Sequence, residues 1–140
     1  IGMNYEVDGT SALTNPEEAV NFLEETGCDC LAVAVGTAHG VYKGTPKIHF
    51  ERLAELREKV PAPLVLHGGS GTGEDNLRKA CQLGICKVNL ANDIKRATID
   101  GLLNSGTDGN AVYNMYTAMA DGCKEKVKYY IRLLGSENKA

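Results

Sequence analysis

Three short, uninterrupted apolar runs alternate with helical patterns along this chain, and that alternation limits its fold more than any other feature. The runs are residues 30–35 (CLAVAV), 63–66 (PLVL) and 85–90 (ICKVNL). Continuous apolar runs are typical of parallel strands that are covered on both faces. Strands joined by helices in this order form right-handed parallel crossovers. We therefore predict an α/β fold with a parallel sheet, and we expect all three strands to be buried.

Five helical patterns complete the order α-β-α-β-α-β-α-α. The first has Asn15 as its N-cap, Pro16 at the first helical position and Gly27 as its end. The others start near Phe50, Glu74, Asn92 and Gly109, and the last runs to about Leu134. On the last helix we expect one apolar face, with members near helical spacing. They are Val112, Tyr116, Met119, Cys123, Val127 and Ile131.

Three parallel strands on their own would leave two bare sheet edges. Tandem βα units suit a (β/α)₈ barrel, which typically needs about 250 residues, whereas this chain has 140. We therefore interpret residues 1–140 as a single domain that is the C-terminal portion of a TIM barrel, followed by an extra C-terminal helix. The N-terminal half of the barrel is expected to lie outside this chain, which begins with Ile1. A flavodoxin-like open sheet is the structural alternative.

Charge and composition argue against two classes of binding partner, nucleic acids and membranes. The net charge is −3 and the lysines and arginines are scattered, so we expect no nucleic-acid partner. No apolar run approaches the roughly 20 residues of a membrane span, so we expect no membrane partner. The five cysteines are odd in number and irregularly spaced. They indicate free thiols in a reducing cytosol, and we predict a cytoplasmic protein without disulfides.

Two histidines occur where polar groups follow predicted strands. His67 ends the second strand, and His39 lies four residues past the first. Function in parallel α/β folds collects at the carboxyl ends of the strands. Because neutral imidazole is a common zinc ligand, the two rings are candidates for one metal site. The ordinary alternative is that neighbouring backbone satisfies each ring.

The turn after the second strand is rich in glycine. Gly68, Gly69 and Gly71 bracket Ser70, and a helix follows. Backbone N–H groups in such turns approach anions closely, and a helix N-terminus adds positive potential. The segment 89–92 repeats this arrangement after the third strand, and Lys43 is a candidate cation in the first loop. A phosphate site is therefore predicted, with ligand-free tight turns as the alternative.

The stretches VGTAHGVYKG, LVLHGGSG and KVNLANDIKRA resemble the class II, zinc-dependent ketose-bisphosphate aldolases, in order and in spacing. DGTSALTNPEEAV and TPKIHFERLAELREKV are also similar to the fructose/tagatose-bisphosphate branch of that family. The resemblance covers nearly the whole chain and identifies it with the C-terminal half of such an enzyme.

Site residues follow from the resemblance by position. It implies zinc ligands at His39 and His67, with a third histidine outside this chain. It implies that Asn89 contacts the substrate or its enediolate, while the aspartate that transfers the proton is also absent. The implied phosphate-binding residues are Gly40, Lys43, Gly68, Gly69, Ser70, Asn89 and Asn92. Asn92 departs from the family's usual threonine, and we expect its amide to preserve phosphate binding. A monovalent cation, Na⁺ or K⁺, is implied near Gly40 and Gly68.

The resemblance implies a reversible lyase reaction. A ketose 1,6-bisphosphate, with fructose 1,6-bisphosphate preferred, would be cleaved to dihydroxyacetone phosphate and glyceraldehyde 3-phosphate through a zinc-stabilised enediolate. Tagatose 1,6-bisphosphate is the alternative substrate. A metal-free sugar-phosphate-binding module and a non-catalytic subunit are alternatives of another class. We expect a homo-oligomer, and we expect the 140 residues alone to be inactive.

Overall fold

The computed structural model describes residues 13–40, 44, 46–106 and 109–139, in two compact units formed by residues 1–90 and 91–140. The first unit contains all the strands of the described residues, and the second contains two helices. The prediction of a single domain over residues 1–140 stays a prediction.

The first unit alternates helix and strand. Its elements are α1 (Pro16–Thr26), β1 (Leu31–Ala32), α2 (Phe50–Lys59), β2 (Leu64–Leu66), α3 (Glu74–Gln82) and β3 (Ile85–Val88). The three strands form one parallel sheet in the order β1-β2-β3. The predicted α/β class and the predicted order of elements are both confirmed.

Helix α1 is delimited by the residues that the sequence indicates. The Asn15 side chain accepts hydrogen bonds from the backbone N–H groups of Glu17 (2.8 Å) and Glu18 (3.2 Å). At the other end, Gly27 is left-handed (φ 62°) and its N–H donates to Leu23 O at 2.8 Å. Both ends therefore satisfy backbone groups that the helix itself leaves unpaired.

The core of the first unit is built around β2, whose three residues are all buried. Leucines from α2, β2 and α3 fill it, each no more than 2% exposed: Leu53, Leu56, Leu64, Leu66 and Leu77. Burying each such side chain stabilises the fold by about 1.5–3 kcal/mol. The central strand is therefore held rigidly, and with it the turn that follows.

The expectation that all three strands are buried is wrong for β1 and β3. Ala32 in β1 is exposed, as are Cys86 and Lys87 in β3. These are the two edges of the three-stranded sheet, so each has a neighbouring strand on one side only. The paired segments of the strands are also shorter than the apolar runs in the sequence. Beyond the paired segment of β1, Val33 and Val35 are only 4% and 0% exposed.

The second unit is a pair of helices, α4 (Asn92–Asn104) and α5 (Ala111–Leu133). They approach each other most closely at Gly101 and Gly122. A Cβ on Gly101 would lie 2.4 Å from Ala118 O, and one on Gly122 would lie 2.3 Å from Ala97 O. Only residues without a Cβ permit this contact, so these two glycines determine which faces of the helices meet.

The apolar residues of α5 that lie near helical spacing are mostly exposed in this structure. Val112 and Tyr116 are 58% and 74% exposed, while Met119 and Cys123 are half-buried. Val127 and Ile131 are also exposed. The glycine contact turns Gly122 toward α4. Several of the large apolar side chains of α5 are therefore not buried by α4.

Two further observations concern thiols and membranes. The five cysteines are all free thiols in this structure. Among the described residues, no helix is both long enough and apolar enough to cross a bilayer.

Candidate active site

Three loops leave the carboxyl ends of the parallel strands, and hydrogen bonds join them. The hydroxyl of Thr37, in the loop after β1, donates to the backbone O of His67 at 2.7 Å. After β3, Asn89 N donates to Leu66 O at 2.9 Å, and Gly69 N donates to Asn89 O at 3.0 Å. The polar residues that follow β1, β2 and β3 are thereby held together at one edge of the sheet.

The two predicted histidines meet at this edge. His39 Nε2 lies 3.0 Å from His67 Nδ1, and the stacked rings have centroids 5.2 Å apart. His39 is exposed, and His67 is half-buried at the tip of β2. Burial lowers the pKa of His67, and its electrostatic interactions with His39 and Lys87 lower it further. A lowered pKa favours the neutral imidazole, which is the form that binds a metal ion.

The separation of the two ring nitrogens can be compared with the needs of zinc. Two nitrogens on one tetrahedral zinc ion, each bonded at about 2.0–2.1 Å, lie about 3.3 Å apart. The observed 3.0 Å therefore requires an adjustment of only a few tenths of an ångström. No group of three or more His, Cys, Asp or Glu side chains is placed for a metal ion within the described part of the chain. The pair thus fits two ligands of a zinc site that needs a third.

Asn89 lies beside His67 and has a different partner at each end of its amide. Its Nδ2 is 3.0 Å from Nε2 of His67, on the side of the ring away from His39. Its Oδ1 accepts a hydrogen bond from the ammonium group of Lys87. Lys87, Asn89, His67 and His39 therefore form a continuous polar chain across the three strand ends.

The glycine-rich turn after His67 is held by hydrogen bonds between its own residues. The hydroxyl of Thr72, which is fully buried, donates to Gly68 O at 3.0 Å, and Thr72 N donates to Gly69 O at 3.3 Å. Ser70 is only 7% exposed. A Cβ on Gly69 would lie 2.6 Å from Cγ1 of Val88 and 3.1 Å from Asn89 O. Gly69 therefore allows the tip of β2 to lie directly against the residues that follow β3.

The remaining predicted phosphate residues are placed as follows. Gly40 directly follows His39 and is exposed, with φ 114°. Gly68 has φ 69° and directly follows His67. Asn92 is the first residue of α4, in the second unit. Lys43 lies outside the described residues. The phosphate-binding assignments of all these residues stay predictions.

Three residues at this edge were missed by reasoning from the sequence. Thr37 and Thr72 hold backbone carbonyls in place, and short polar residues in loops give no specific sequence signal for this. Lys87 did have a signal, because it lies two positions before Asn89 in a strand. Residues i and i+2 of a strand share a face, so the two side chains are expected to be neighbours.

A sequence profile described as "Fructose-bisphosphate aldolase class-II" matches residues 2–139 of this chain. The two imidazoles, the asparagine and the glycine turn thus occur on a parallel α/β framework whose sequence matches that profile over residues 2–139. The chain belongs to the class II fructose-bisphosphate aldolase family.

Solved structures with the same fold include three aldolases. The chain is 36% identical to the YdjI aldolase from Escherichia coli K12, with a TM-score of 0.85 over 91% of this chain and 48% of that one. It is 24% identical to a putative fructose-1,6-bisphosphate aldolase from Coccidioides immitis (TM-score 0.74, covering 91% and 45%). It is 22% identical to the fructose-bisphosphate aldolase of Campylobacter jejuni (TM-score 0.70, covering 96% and 48%). At these lower identities the last two support the fold alone.

The chain spans about half the length of the solved structures that it matches. That ratio agrees with the interpretation of the chain as a portion of a larger α/β barrel.

Proposed function

We propose that these residues form the C-terminal half of a zinc-dependent aldolase. It cleaves a ketose 1,6-bisphosphate, with fructose 1,6-bisphosphate as the preferred substrate, to dihydroxyacetone phosphate and glyceraldehyde 3-phosphate. Membership of the class II family supports the reaction class, carbon–carbon lyase. The observation that carries the proposal is the 3.0 Å approach of His39 Nε2 to His67 Nδ1, at the strand ends where active sites of such folds lie.

In this proposal His39 and His67 hold the zinc ion together with a histidine from outside the chain. Zinc, when bound, would supply a Lewis acid for the substrate carbonyl. The chain's own residues bind and orient the substrate. The side chain of Asn89 donates a hydrogen bond to a substrate oxygen. The proton on the oxygen of the departing aldehyde is handled by a residue outside the chain.

The phosphate group of the dihydroxyacetone phosphate portion is assigned to the turns after the strands. The proposed phosphate-binding residues in these turns are Gly40, Gly68, Gly69 and Ser70. Lys43 and Asn92 are proposed as further phosphate contacts. The closed turn at Thr72 and the tight packing of Gly69 support a rigid phosphate site, because preorganised groups lose little entropy on binding. Fixing the phosphate would hold the reacting carbon in place. A monovalent cation at the carbonyls near Gly40 and Gly68 completes the proposal.

Tagatose 1,6-bisphosphate is the second candidate substrate. It differs from fructose 1,6-bisphosphate in the configuration of one hydroxyl group, and the residues that distinguish the two are expected in the absent half. A homo-oligomer and a cytoplasmic location belong to the same proposal. The five free thiols agree with a reducing compartment.

The test uses the longer chain in which residues 1–140 are joined to their own N-terminal half. Release of dihydroxyacetone phosphate is measured from fructose and tagatose 1,6-bisphosphates, before and after removal of metal with EDTA and after addition of zinc. We expect cleavage that is lost with EDTA and restored by zinc. His39→Ala and His67→Ala should each lower bound zinc below one ion per chain and reduce kcat/KM by about 10³-fold or more. The 140-residue chain alone should be inactive, because two ligands do not complete the site.

His49→Gln is the matched control, because His49 lies at the start of α2 and its backbone N–H donates to Val35 O. It should keep both zinc and activity. Cleavage that persists in EDTA would refute the zinc proposal. Binding of dihydroxyacetone phosphate that survives both EDTA and His67→Ala, without cleavage, would favour the metal-free binding module.

A further inference from the structure

Resting on the proposed function, we infer that Lys87 is a positioning residue that determines which end of the Asn89 amide faces the substrate. The ammonium group of Lys87 donates to Oδ1 of Asn89, so the NH₂ end of the amide faces Nε2 of His67. Lys87 thereby reserves the NH₂ group as a hydrogen-bond donor for a substrate oxygen.

The backbone of β3 and of the residue after it fixes the contact between Lys87 and Asn89. Lys87 and Asn89 are two residues apart, and Lys87 pairs with Val65 in the sheet. Asn89 N donates to Leu66 O, which fixes the backbone from which the amide projects. The side chains of Lys87 and Asn89 therefore extend from a framework that both β2 and β3 hold in place.

An asparagine side chain needs such a partner if it is to act as a donor. The O and NH₂ ends of the amide have nearly the same shape, so packing alone does not choose between them. A lysine ammonium group has three donors and no acceptor, and it can pair only with the oxygen end. No Asp or Glu among the described residues forms an ion pair with Lys87, so Asn89 Oδ1 is the partner that the structure gives it.

Metal binding would affect which end of the Asn89 amide faces His67. If Nδ1 of His67 holds the metal, its Nε2 carries the hydrogen and becomes a donor. That N–H would favour a rotated Asn89 amide, with Oδ1 turned toward the ring as an outer partner of the metal site. In that rotated state the NH₂ group would point away from the substrate. Lys87 opposes the rotation, because it would lose its own acceptor.

The ordinary alternative is that Lys87 is an exposed lysine that pairs with the nearest available acceptor. In that case the hydrogen bond to Asn89 has no consequence for the reaction. The two readings differ in one measurable respect, which is whether the effect of removing Lys87 requires Asn89.

The test is a double-mutant cycle in the same longer chain, loaded with zinc. Lys87→Met keeps the length of the side chain and removes the cation. We expect kcat to fall about 10- to 100-fold with little change in KM, the size typical of residues that orient an active-site group. In an Asn89→Ala background, Lys87→Met should have no further effect, because its role acts through that amide. Lys87→Arg should recover most of the lost activity.

The second readout does not depend on catalysis. Zinc affinity, measured by competition with a chelating dye, should be higher in Lys87→Met, since the freed amide can accept from His67. Damage to the fold would lower it instead. Lys59→Met, which removes a lysine from the surface of α2, is the control and should change neither quantity.

The outcomes separate the two proposals. If Lys87→Met leaves kcat unchanged, or if it is fully additive with Asn89→Ala, the inference about Lys87 is wrong while the aldolase assignment stands. If no ketose bisphosphate is cleaved at all, the proposed function fails. The zinc affinities of the four proteins of the cycle still test Lys87. A rise on Lys87→Met that occurs only when Asn89 is present supports the coupling, and an affinity that is unchanged or lowered in both backgrounds overturns it.

Discussion

Substituting Gly69 by alanine tests how closely the strand ends are packed at the site. The new Cβ would lie 2.6 Å from Cγ1 of Val88, whereas carbon atoms in contact prefer about 3.5–4.0 Å. A deficit of about 1 Å must be relieved by Val88 or by the backbone. Val88 is β-branched and stiff about χ1, so much of the movement falls on the turn.

Overpacking of this kind costs about 1–3 kcal/mol. We expect Gly69→Ala to lower the free energy of unfolding by that amount, as measured by equilibrium urea denaturation. It should also disturb the site, because Gly69 N donates to Asn89 O and directly links the two loops. Zinc affinity measured in the longer chain should therefore fall along with stability.

Gly44→Ala is the matched control for this change. A Cβ on Gly44 would have no heavy atom of the described residues within 4 Å, and its φ is not in the left-handed region. It should alter the free energy of unfolding by less than about 0.5 kcal/mol in the destabilising direction, or stabilise slightly. If Gly69→Ala is as well tolerated as Gly44→Ala, the close packing of the two strand ends is wrong.

Two further predictions concern α1. Asn15→Ala removes the acceptor of two backbone N–H groups and should cost about 1 kcal/mol in urea denaturation, while Asn15→Asp should retain most of that stability; equal losses in both variants would contradict the capping role. The Glu17–Lys59 ion pair, 2.9 Å long and exposed, lowers the pKa of Glu17 through its hydrogen bond and charge. The stabilisation from this pair should be present above the ordinary pKa of a glutamate and be lost as pH falls through the lowered pKa. The free energy of unfolding of Glu17→Gln should therefore differ from that of the parent at pH 7 and not at pH 2. A difference that is independent of pH would refute this.

Much of the first unit could be predicted because the signals are local. Asn15, Pro16 and Gly27 delimit α1 through bonds within a few residues, and the structure retains each of them. The approach of His39 to His67 followed from a topological rule, since parallel neighbouring strands end at the same edge. The contact between Lys87 and Asn89 also follows a local rule, strand alternation, but that rule was not applied to this pair.

Other features depend on partners that are distant in sequence. The burial of β1 and β3 was overestimated because an apolar run does not reveal how many strands will lie beside it. The face of α5 that meets α4 could not be predicted, because Gly101 and Gly122, twenty-one positions apart by their numbering, meet only when the helices are paired. The role of Gly69 likewise appears only against Val88.

The amino-acid sequence by itself determined the order of helices and strands, the ends of α1 and the identity of the polar groups at the strand ends, because each depends on short-range periodicity, capping or turn chemistry. Only the tertiary structure decided the distance between the two imidazoles, the contact of the Asn89 amide with His67 and the faces of the helices that meet. These features depend on contacts between residues tens of positions apart. A change of an ångström in such a contact can turn a favourable distance into a steric clash.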